Sequence, residues 1–205
     1  LNAGTLTVYA YFVPTDTANY NSLGSSSNDH ASKSITISKA TGYLTATTTN
    51  RTYTGSAQTI GTISTNSGTY YFGLGSSTTS APTSWGAANK ALTATTAGTY
   101  YVWAKCDGAT NYNAVSQKYI GTVVINKATP TMTLAGSNKT YNGSASYITA
   151  TAYVAGKVYY GTTSATTGMT SSKSVSANTA TNLTSITDAG TLTVYAYFVP
   201  TDTAN

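Results

Sequence analysis

The stretch AGTLTVYAYFVPTDTAN occurs twice, letter for letter, at Ala3–Asn19 and at Ala189–Asn205. The two copies are offset by 186 residues in a chain of 205. Within TLTVYAYFV, apolar residues occupy every second position, and a period of two is typical of a β-strand with one face against a core. The stretch therefore predicts a core-forming strand followed by a turn, seen in two successive copies of a repeating unit.

A weaker repeat divides the chain further. The segment INKATPTMTLAGSNKTYNGSA (Ile125–Ala145) is similar to ISKATGYLTATTTNRTYTGSA (Ile37–Ala57), at an offset of 88 residues. Fixed offsets of this kind are the signature of repeat architectures. We predict the end of one repeat at residues 1–38, a complete repeat at 39–126, and a repeat that stops before its last strand at 127–205. The sequence beyond Asn205 is expected to read close to YNSLGSSSNDHASKSITISKATG.

The composition favours an all-β fold. Thr, Ser, Ala, Gly and Asn dominate, 18 residues are Tyr, and charged residues make up only 7 % of the chain. β-branched and aromatic residues favour strands, and no long segment has the apolar spacing of a helix. Six or seven short strands in each unit is the number found in a β-sandwich domain.

The predicted strands lie between turn signals. In the complete repeat they are Tyr43–Thr49, Gln58–Ser64, Thr69–Leu74, Ala91–Thr95, Thr99–Lys105 and Lys118–Ile125. In the other repeat they are Thr131–Ala135, Ser146–Tyr153, Lys157–Tyr160, Lys173–Ser176, Leu183–Thr187 and Thr191–Val199, with Lys33–Ser38 as the closing strand. Alternation predicts these core residues: Leu192, Val194, Ala196, Phe198, Tyr100, Val102, Ala104, Ile35, Ile37, Val123 and Ile125.

Two motifs carry a resemblance to a known family. The segments TAGTYYV (Thr96–Val102) and DAGTLTV (Asp188–Val194) look like the entry to strand F of immunoglobulin-like domains. Together with the KATP junction and the NYN turn, they make both units resemble the bacterial immunoglobulin-like repeats of large surface adhesins. Val102 and Val194 depart from antibody domains, which have a disulfide cysteine there. The resemblance implies tandem immunoglobulin-like β-sandwiches in an extracellular, cell-surface protein.

Few residues are suited to chemistry. His30 is the only histidine and lies in the polar segment SSSNDHASKS, where we interpret it as a solvated loop residue. Cys106 is the only cysteine and is expected to be a semi-exposed loop thiol. A zinc site takes about four Cys or His ligands, and calcium takes several closely spaced carboxylates, whereas the five Asp are isolated. We therefore predict no enzyme activity, no cofactor and no metal.

The charge pattern argues against two classes of partner. The net charge is +5, but the Lys residues are scattered singly and form no run that could follow a phosphate backbone. No apolar run approaches the ~20 residues that cross a bilayer. We predict no nucleic-acid partner and no membrane contact in this segment.

Aromatic residues give the one candidate contact surface. Exposed Trp and Tyr rings can stack on sugar rings. Trp85, Tyr101, Trp103, Tyr195 and Tyr197 are expected to face away from the core and are candidates for such a surface. The alternative is that these rings cover a sheet face or pack between neighbouring domains or chains.

The repeats and the resemblance together suggest a structural role. We interpret the chain as a repeat segment of a long extracellular bacterial surface fibre or adhesin stalk, which projects or links material away from the cell. One alternative is a glycan-binding module that acts by avidity, and another is a filament subunit that associates laterally. The expected partners are neighbouring repeats, copies of the chain itself, and host or matrix glycans.

Overall fold

The computed structural model describes residues 2–22, 31–164 and 167–205. These residues form fifteen strands and no helix, so the all-β class is confirmed for them. The chain divides into two compact units. Unit 1 comprises Leu1–Arg51, Ala57–Ala94 and Thr99–Val124, and unit 2 comprises Thr52–Ser56, Thr95–Gly98 and Ile125–Asn205. The sequence repeats at 39–126 and 127–205 do not coincide with these units, and their bounds stay predictions.

Unit 1 begins with an antiparallel pair formed by β1 (Gly4–Ala10) and β2 (Ala31–Ile37). Gly4 lies opposite Ile37 and Ala10 lies opposite Ala31. The core position expected for Ile35 and Ile37 is wrong, because their side chains are 61 % and 44 % exposed. The strand itself lies where the sequence predicts, but the described residues place no second sheet over its apolar face.

Two larger sheets make up the rest of unit 1. The three-stranded sheet has the order β3 (Leu44–Thr48), β5 (Gln58–Thr65), β7 (Leu92–Ala94). The four-stranded sheet has the order β4 (Arg51–Thr52), β9 (Val115–Asn126), β8 (Gly98–Cys106), β6 (Tyr70–Gly75). The boundary between the units passes through β4, β8 and β9.

The core of unit 1 lies between these two sheets. A methyl group placed on Gly61 of β5 would lie 3.2 Å from the Phe72 ring of β6, so the sheets approach closely at this point. Val102 and Val123 are fully buried, and Ile125, the first residue of β9 that is assigned to unit 2, is 1 % exposed. These values confirm the inward faces predicted for β8 and β9. Burial of such aliphatic side chains is the main term that stabilises the unit.

Unit 2 also has two sheets around one core. Their orders are β10 (Met132–Gly136), β11 (Ser146–Ala152), β14 (Thr181–Ile186), and β13 (Ser171–Val175), β12 (Gly156–Gly161), β15 (Tyr195–Pro200). Both sheets contribute to one buried cluster: Ala150, Ala152, Val158, Val175 and Leu183, with Met132, Tyr160, Ala196 and Phe198 packed against it. The arrangement is consistent with a β-sandwich.

Two sequence predictions are corrected here. Cys106 is not a semi-exposed loop thiol, because β8 continues through it and its side chain is 2 % exposed. The Cys106 thiol donates to Thr65 Oγ1 at 3.4 Å. The strand predicted at Thr191–Val199 is also shorter, because residues 191–194 are not in a strand and β15 begins at Tyr195.

Candidate functional site

A hydrogen-bonded cluster joins the KAT segment to the NYN turn in unit 1. Lys39 Nζ donates to the carbonyl of Ala109 at 2.9 Å. The Ala40 amide donates to the carbonyl of Asn111 at 2.8 Å, and the Asn113 amide donates back to the Ala40 carbonyl at 2.9 Å. Two chain segments meet here, and their backbone groups and one ammonium satisfy one another's hydrogen-bonding capacity.

The side chain of Asn111 extends this cluster to the start of the chain. The backbone amide of Ala3 donates to Asn111 Oδ1 at 2.7 Å, across 108 residues of sequence. Asn111 Nδ2 donates to Asn2 Oδ1 at 3.1 Å. Ala3 lies immediately before β1, at a strand end where a backbone amide can be left without a hydrogen-bond acceptor. Asn111 Oδ1 supplies that acceptor.

Unit 2 repeats three of these contacts. Lys127 Nζ donates to the carbonyl of Thr203, and the Ala128 amide donates to the carbonyl of Asn205 at 3.0 Å. The backbone amide of Ala97 donates to Asn205 Oδ1 at 2.7 Å, again across 108 residues. Ala97 immediately precedes β8, as Ala3 precedes β1, so the two clusters are equivalent.

The turn that carries Asn205 is held by a carboxylate. Asp202 Oδ2 accepts from Asn205 Nδ2 at 2.9 Å, and Asp202 Oδ1 accepts from two backbone amides. Asp16 and Asn19 form the same turn in the first copy, at 2.8 Å. The side-chain amide of the Asn holds the pKa of each Asp below its usual value, and Lys127 adds to this effect at Asp202.

We call these two arrangements the junction clusters. In each, an Asn side chain binds a backbone amide that belongs to the preceding sequence repeat. The segment Thr95–Gly98 is accordingly part of unit 2, although the residues around it are part of unit 1. Sequence reasoning did not assign a role to Asn111 or Asn205. The recurrence of the KAT and NYN segments at matching places was the signal that could have found them.

The aromatic residues predicted in unit 1 do not form one open platform. Trp103 follows Val102 on β8 and so points to the opposite side of the strand, but it is only 8 % exposed. Its Nε1 donates to the Ser77 carbonyl at 3.2 Å, and its ring meets Tyr119 edge-on at 5.8 Å. The exposed position expected for Trp103 is therefore corrected, because a loop and a neighbouring strand cover the ring.

Trp85 is half-buried beside a lysine. Lys105 Nζ lies 5.0 Å from the centre of the Trp85 ring and 5.2 Å from that of Tyr71. A hydrogen bond to Asp107 raises the pKa of Tyr71, because the carboxylate favours the protonated phenol. Tyr101 is half-buried on β8 opposite Gly75. The ammonium over these rings makes this a cation–π contact that fixes Lys105.

The two predicted aromatics of unit 2 lie along β15. The Tyr197 ring stacks on Tyr159 of β12 with centres 5.0 Å apart and an interplanar angle of 8°. Lys157 Nζ lies 5.6 Å from the Tyr159 ring centre. Tyr195, two residues before Tyr197 at the start of β15, is 42 % exposed. The stack of Tyr197 on Tyr159 is a cross-strand contact that stabilises the sheet. Of the two predicted aromatic residues of unit 2, Tyr195 is the one whose ring is exposed.

Unit 2 also contains a cavity of about 610 Å³. Its apolar lining is supplied by β10, β11, the end of β14 and the segment that precedes β15: Leu134, Ile148, Ile186, Leu192 and Val194. Asn138 and Lys139 supply polar groups at its edge. Asp188, also in the lining, is exposed.

Residues 2–22, 31–164 and 167–205 contain no group of three or more His, Cys, Asp or Glu placed to hold a metal ion. His30 lies outside the described residues. Over those same ranges, no helix has the length and apolar character needed to span a membrane.

Comparison with known proteins gives no relative. No family model, no curated protein and no solved structure matches this chain.

Proposed function

We propose that this chain is a segment of tandem immunoglobulin-like repeats in a long extracellular bacterial surface fibre or adhesin stalk. Its role is mechanical, to hold material away from the cell or to link it. The observation that carries the proposal is the junction cluster, in which an Asn Oδ1 accepts from a backbone amide 108 residues earlier in the sequence, once at Asn111 and once at Asn205.

The chemistry of the junction suits a load-bearing chain. Each cluster connects distant segments through backbone carbonyls, an Asn side chain and a Lys ammonium, rather than through exposed ion pairs. Surface ion pairs weaken as salt rises, whereas hydrogen bonds between neutral groups, such as the bonds from a backbone amide to an Asn side chain in both clusters, do so far less. With charged residues at 7 %, a fibre built this way is expected to keep its stability across a wide range of salt.

Labelling of the native assembly tests the location and the form. Antibodies raised against the full 205-residue chain are expected to label thin, regular fibres that extend from the surface of the source cells in electron micrographs. Label confined to the cell interior would overturn the proposal.

A glycan array probed with the same chain separates the mechanical role from adhesion. A stalk segment is expected to give no saturable signal, whereas a signal lost on substitution of Tyr195 would favour the glycan-binding alternative. Tyr195 is the position for this variant because, of the two aromatic residues predicted for a contact surface in unit 2, Tyr195 has the exposed ring.

A further inference from the structure

One turn of unit 2 contains the only Asn–Gly pair in the sequence, at Asn142–Gly143. Both residues are exposed, and the turn lies between β10 and β11. Gly143 has a φ of 74°, a conformation that glycine adopts without strain. A methyl group placed on Gly143 would meet no atom within 4 Å, so this residue is uncrowded and open to water.

The side chain of Asn142 is curled back toward the main chain. Its Oδ1 accepts from the Ser144 amide at 3.1 Å, and the Gly143 nitrogen lies between these two residues along the chain. The bond therefore holds the side-chain carbonyl carbon beside the Gly143 nitrogen. The Ser144 amide also stabilises negative charge on Oδ1, which is the charge that develops when a nucleophile adds to this carbonyl.

We propose that Asn142 is a site of spontaneous deamidation, for which the chain itself and water are the reactants. The Gly143 nitrogen attacks Cγ of Asn142 and a C–N bond forms. The Cγ–Nδ2 bond breaks, and the Nδ2 group leaves as ammonia with the proton that the Gly143 nitrogen gives up. One water molecule then opens the five-membered succinimide.

The ring can open on either side of its nitrogen. Water that adds at Cγ gives aspartate, and water that adds at the main-chain carbonyl carbon gives isoaspartate. Neither step oxidises or reduces the chain, so no cofactor takes part. Holding the two reacting atoms together is the contribution of the turn, because a prearranged geometry lowers the barrier to an intramolecular reaction.

An equivalent turn separates the shape of the site from its chemistry. At the 88-residue offset, Thr54–Gly55–Ser56 replaces Asn142–Gly143–Ser144. Gly55 has a φ of 82°, and the Ser56 amide donates to Thr54 Oγ1 at 3.4 Å, so the turn is the same. Thr54 and Gly55 are exposed although β4 and β9 are paired beside them. The open position therefore belongs to the turn itself, whereas the reactive amide is present only at Asn142.

A second asparagine with a small following residue lies in a closed site. Asn66 precedes Ser67, which is 0 % exposed. The Oδ1 atom of Asn66 accepts from the Tyr43 amide at 2.8 Å and from Ser67 Oγ at 3.0 Å. Ring closure here would disturb a buried residue and both hydrogen bonds, so we expect Asn66 to persist while Asn142 is converted.

Conversion changes both the charge and the backbone of the turn. Each event lowers the formal net charge of +5 by one. The Lys139 ammonium donates to the Ala145 carbonyl at 3.0 Å, so the new carboxylate forms in a turn that a cation already contacts. Isoaspartate also adds one carbon to the main chain before β11. Because the reaction needs only water and time, the converted fraction records the age of the chain, whatever its mechanical role.

Mass spectrometry of the full chain after storage at neutral pH tests the proposal. Digestion after lysine isolates residues 140–157, in which Asn142 is the only asparagine, and conversion replaces NH2 by OH. Conversion at Asn142 is expected to be at least about tenfold faster than at Asn66, and at least as fast in the folded chain as in the peptide KTYNGSAS (residues 139–146). A smaller ratio, or slower conversion in the chain than in the peptide, would overturn the proposal.

Three variants test the chemistry and the turn separately. Asn142→Thr introduces the residue found at Thr54 and is expected to abolish the mass change in residues 140–157. Gly143→Ala is expected to slow conversion, because a methyl group hinders the approach of the nitrogen and disfavours a positive φ. Thr54→Asn creates the same pair in the equivalent turn and keeps the test valid if Gly143→Ala unfolds. This variant is expected to convert as Asn142 does. No conversion in Thr54→Asn, or unchanged conversion in Gly143→Ala, would rule out the turn as the cause.

Discussion

The two copies of AGTLTVYAYFVPTDTAN have one sequence and two structures. In the first copy, residues 4–10 form β1 and pair with β2, and the strand ends at Ala10. In the second copy, residues 190–194 are not in a strand, and β15 (Tyr195–Pro200) pairs with β12 instead. Each copy forms only the half of the strand that has a neighbour to bond.

The complete strand β8 shows both halves together. Residues Tyr101–Cys106 pair with β6, as β15 pairs with β12, and β9 lies along the other edge, as β2 lies along β1. Because the two copies are identical in sequence, propensity cannot explain their difference. A backbone group that finds no partner in the sheet bonds water instead, so the partner strand decides which half is extended.

The largest effect is expected from matched core substitutions in the two closing strands. Ile125→Ala in β9 removes a side chain that is 1 % exposed and should lower the free energy of unfolding by about 2–5 kcal/mol. Its counterpart Ile37→Ala, at 44 % exposure, should cost less than about 0.5 kcal/mol. Urea denaturation at a concentration where the chain is monomeric measures both. Equal losses would mean that the two strands are packed alike, which would contradict the difference in burial between Ile125 and Ile37.

The second copy should depend on β12 alone. Gly156 of β12 lies opposite Pro200, and a methyl group placed on it would lie 2.4 Å from the Val199 carbonyl and 2.5 Å from the Phe198 ring. Gly156→Ala should therefore destabilise unit 2 by about 1–3 kcal/mol and open β15 while leaving β1 intact.

Gly161→Ala at the other end of β12 is the matched control. A methyl group there comes no closer than 3.6 Å to Met169, so little change is expected. Amide exchange of Tyr195–Val199 in each variant gives the readout. Retention of β15 in Gly156→Ala would show that something other than β12 holds the second copy.

The junction clusters should respond alike, in contrast to the strands. Asn111→Ala and Asn205→Ala each remove the acceptor of one backbone amide at 2.7 Å, and each should cost about 1 kcal/mol. Asn19→Ala is the control, because it disturbs the same turn as Asn205→Ala through Asp16. Thermal unfolding that separates the Asn205 variant from the Asn19 variant would measure the junction bond itself. Identical shifts for these two would show that only the turn matters.

The smallest effect concerns the turn that both copies share. The Asn side chains lower the pKa of Asp16 and Asp202, so each carboxylate contributes stability above its unfolded pKa, near 3.8. That contribution is lost as pH falls through the lower folded pKa. In an NMR titration, Asn19→Ala should raise the pKa of Asp16 alone, and Asn205→Ala that of Asp202 alone. A normal pKa at either Asp in the unmodified chain would contradict the shared turn.

The sequence alone was enough for the strands that have both neighbours. Alternation along VVI placed Val123 and Ile125 in the core, and both are buried. The same rule failed for Ile35 and Ile37, because a period of two identifies one face of a strand but does not show whether a second sheet covers it. Burial is a property of the partner, and the partner is distant in sequence.

The errors at β8 have a similar cause. The predicted strand ends at Lys105 and so leaves Cys106 in a loop, yet pairing with Tyr70 extends the strand to that residue. Trp103 was expected to be open because it alternates with Val102, but the Ser77 loop covers it. Local pattern predicts the side of the strand, and long-range contacts decide exposure. The short strand β4 and the junction clusters were missed for the same reason.

We expect that residues 190–194 lack only a partner strand to become a β-strand themselves. The sequence of residues 20–38 is appended after Asn205, and amide exchange of Thr191–Val194 is followed at a monomeric concentration. NMR, or peptides that include the differing residues Asn2 and Asp188, distinguish the two identical copies. We expect these amides to exchange freely before the extension and to become as protected as Thr5–Val8 after it. Unchanged exchange, or equal protection of both copies in the 205-residue chain, would show that a missing partner strand is not what keeps residues 190–194 from forming a strand.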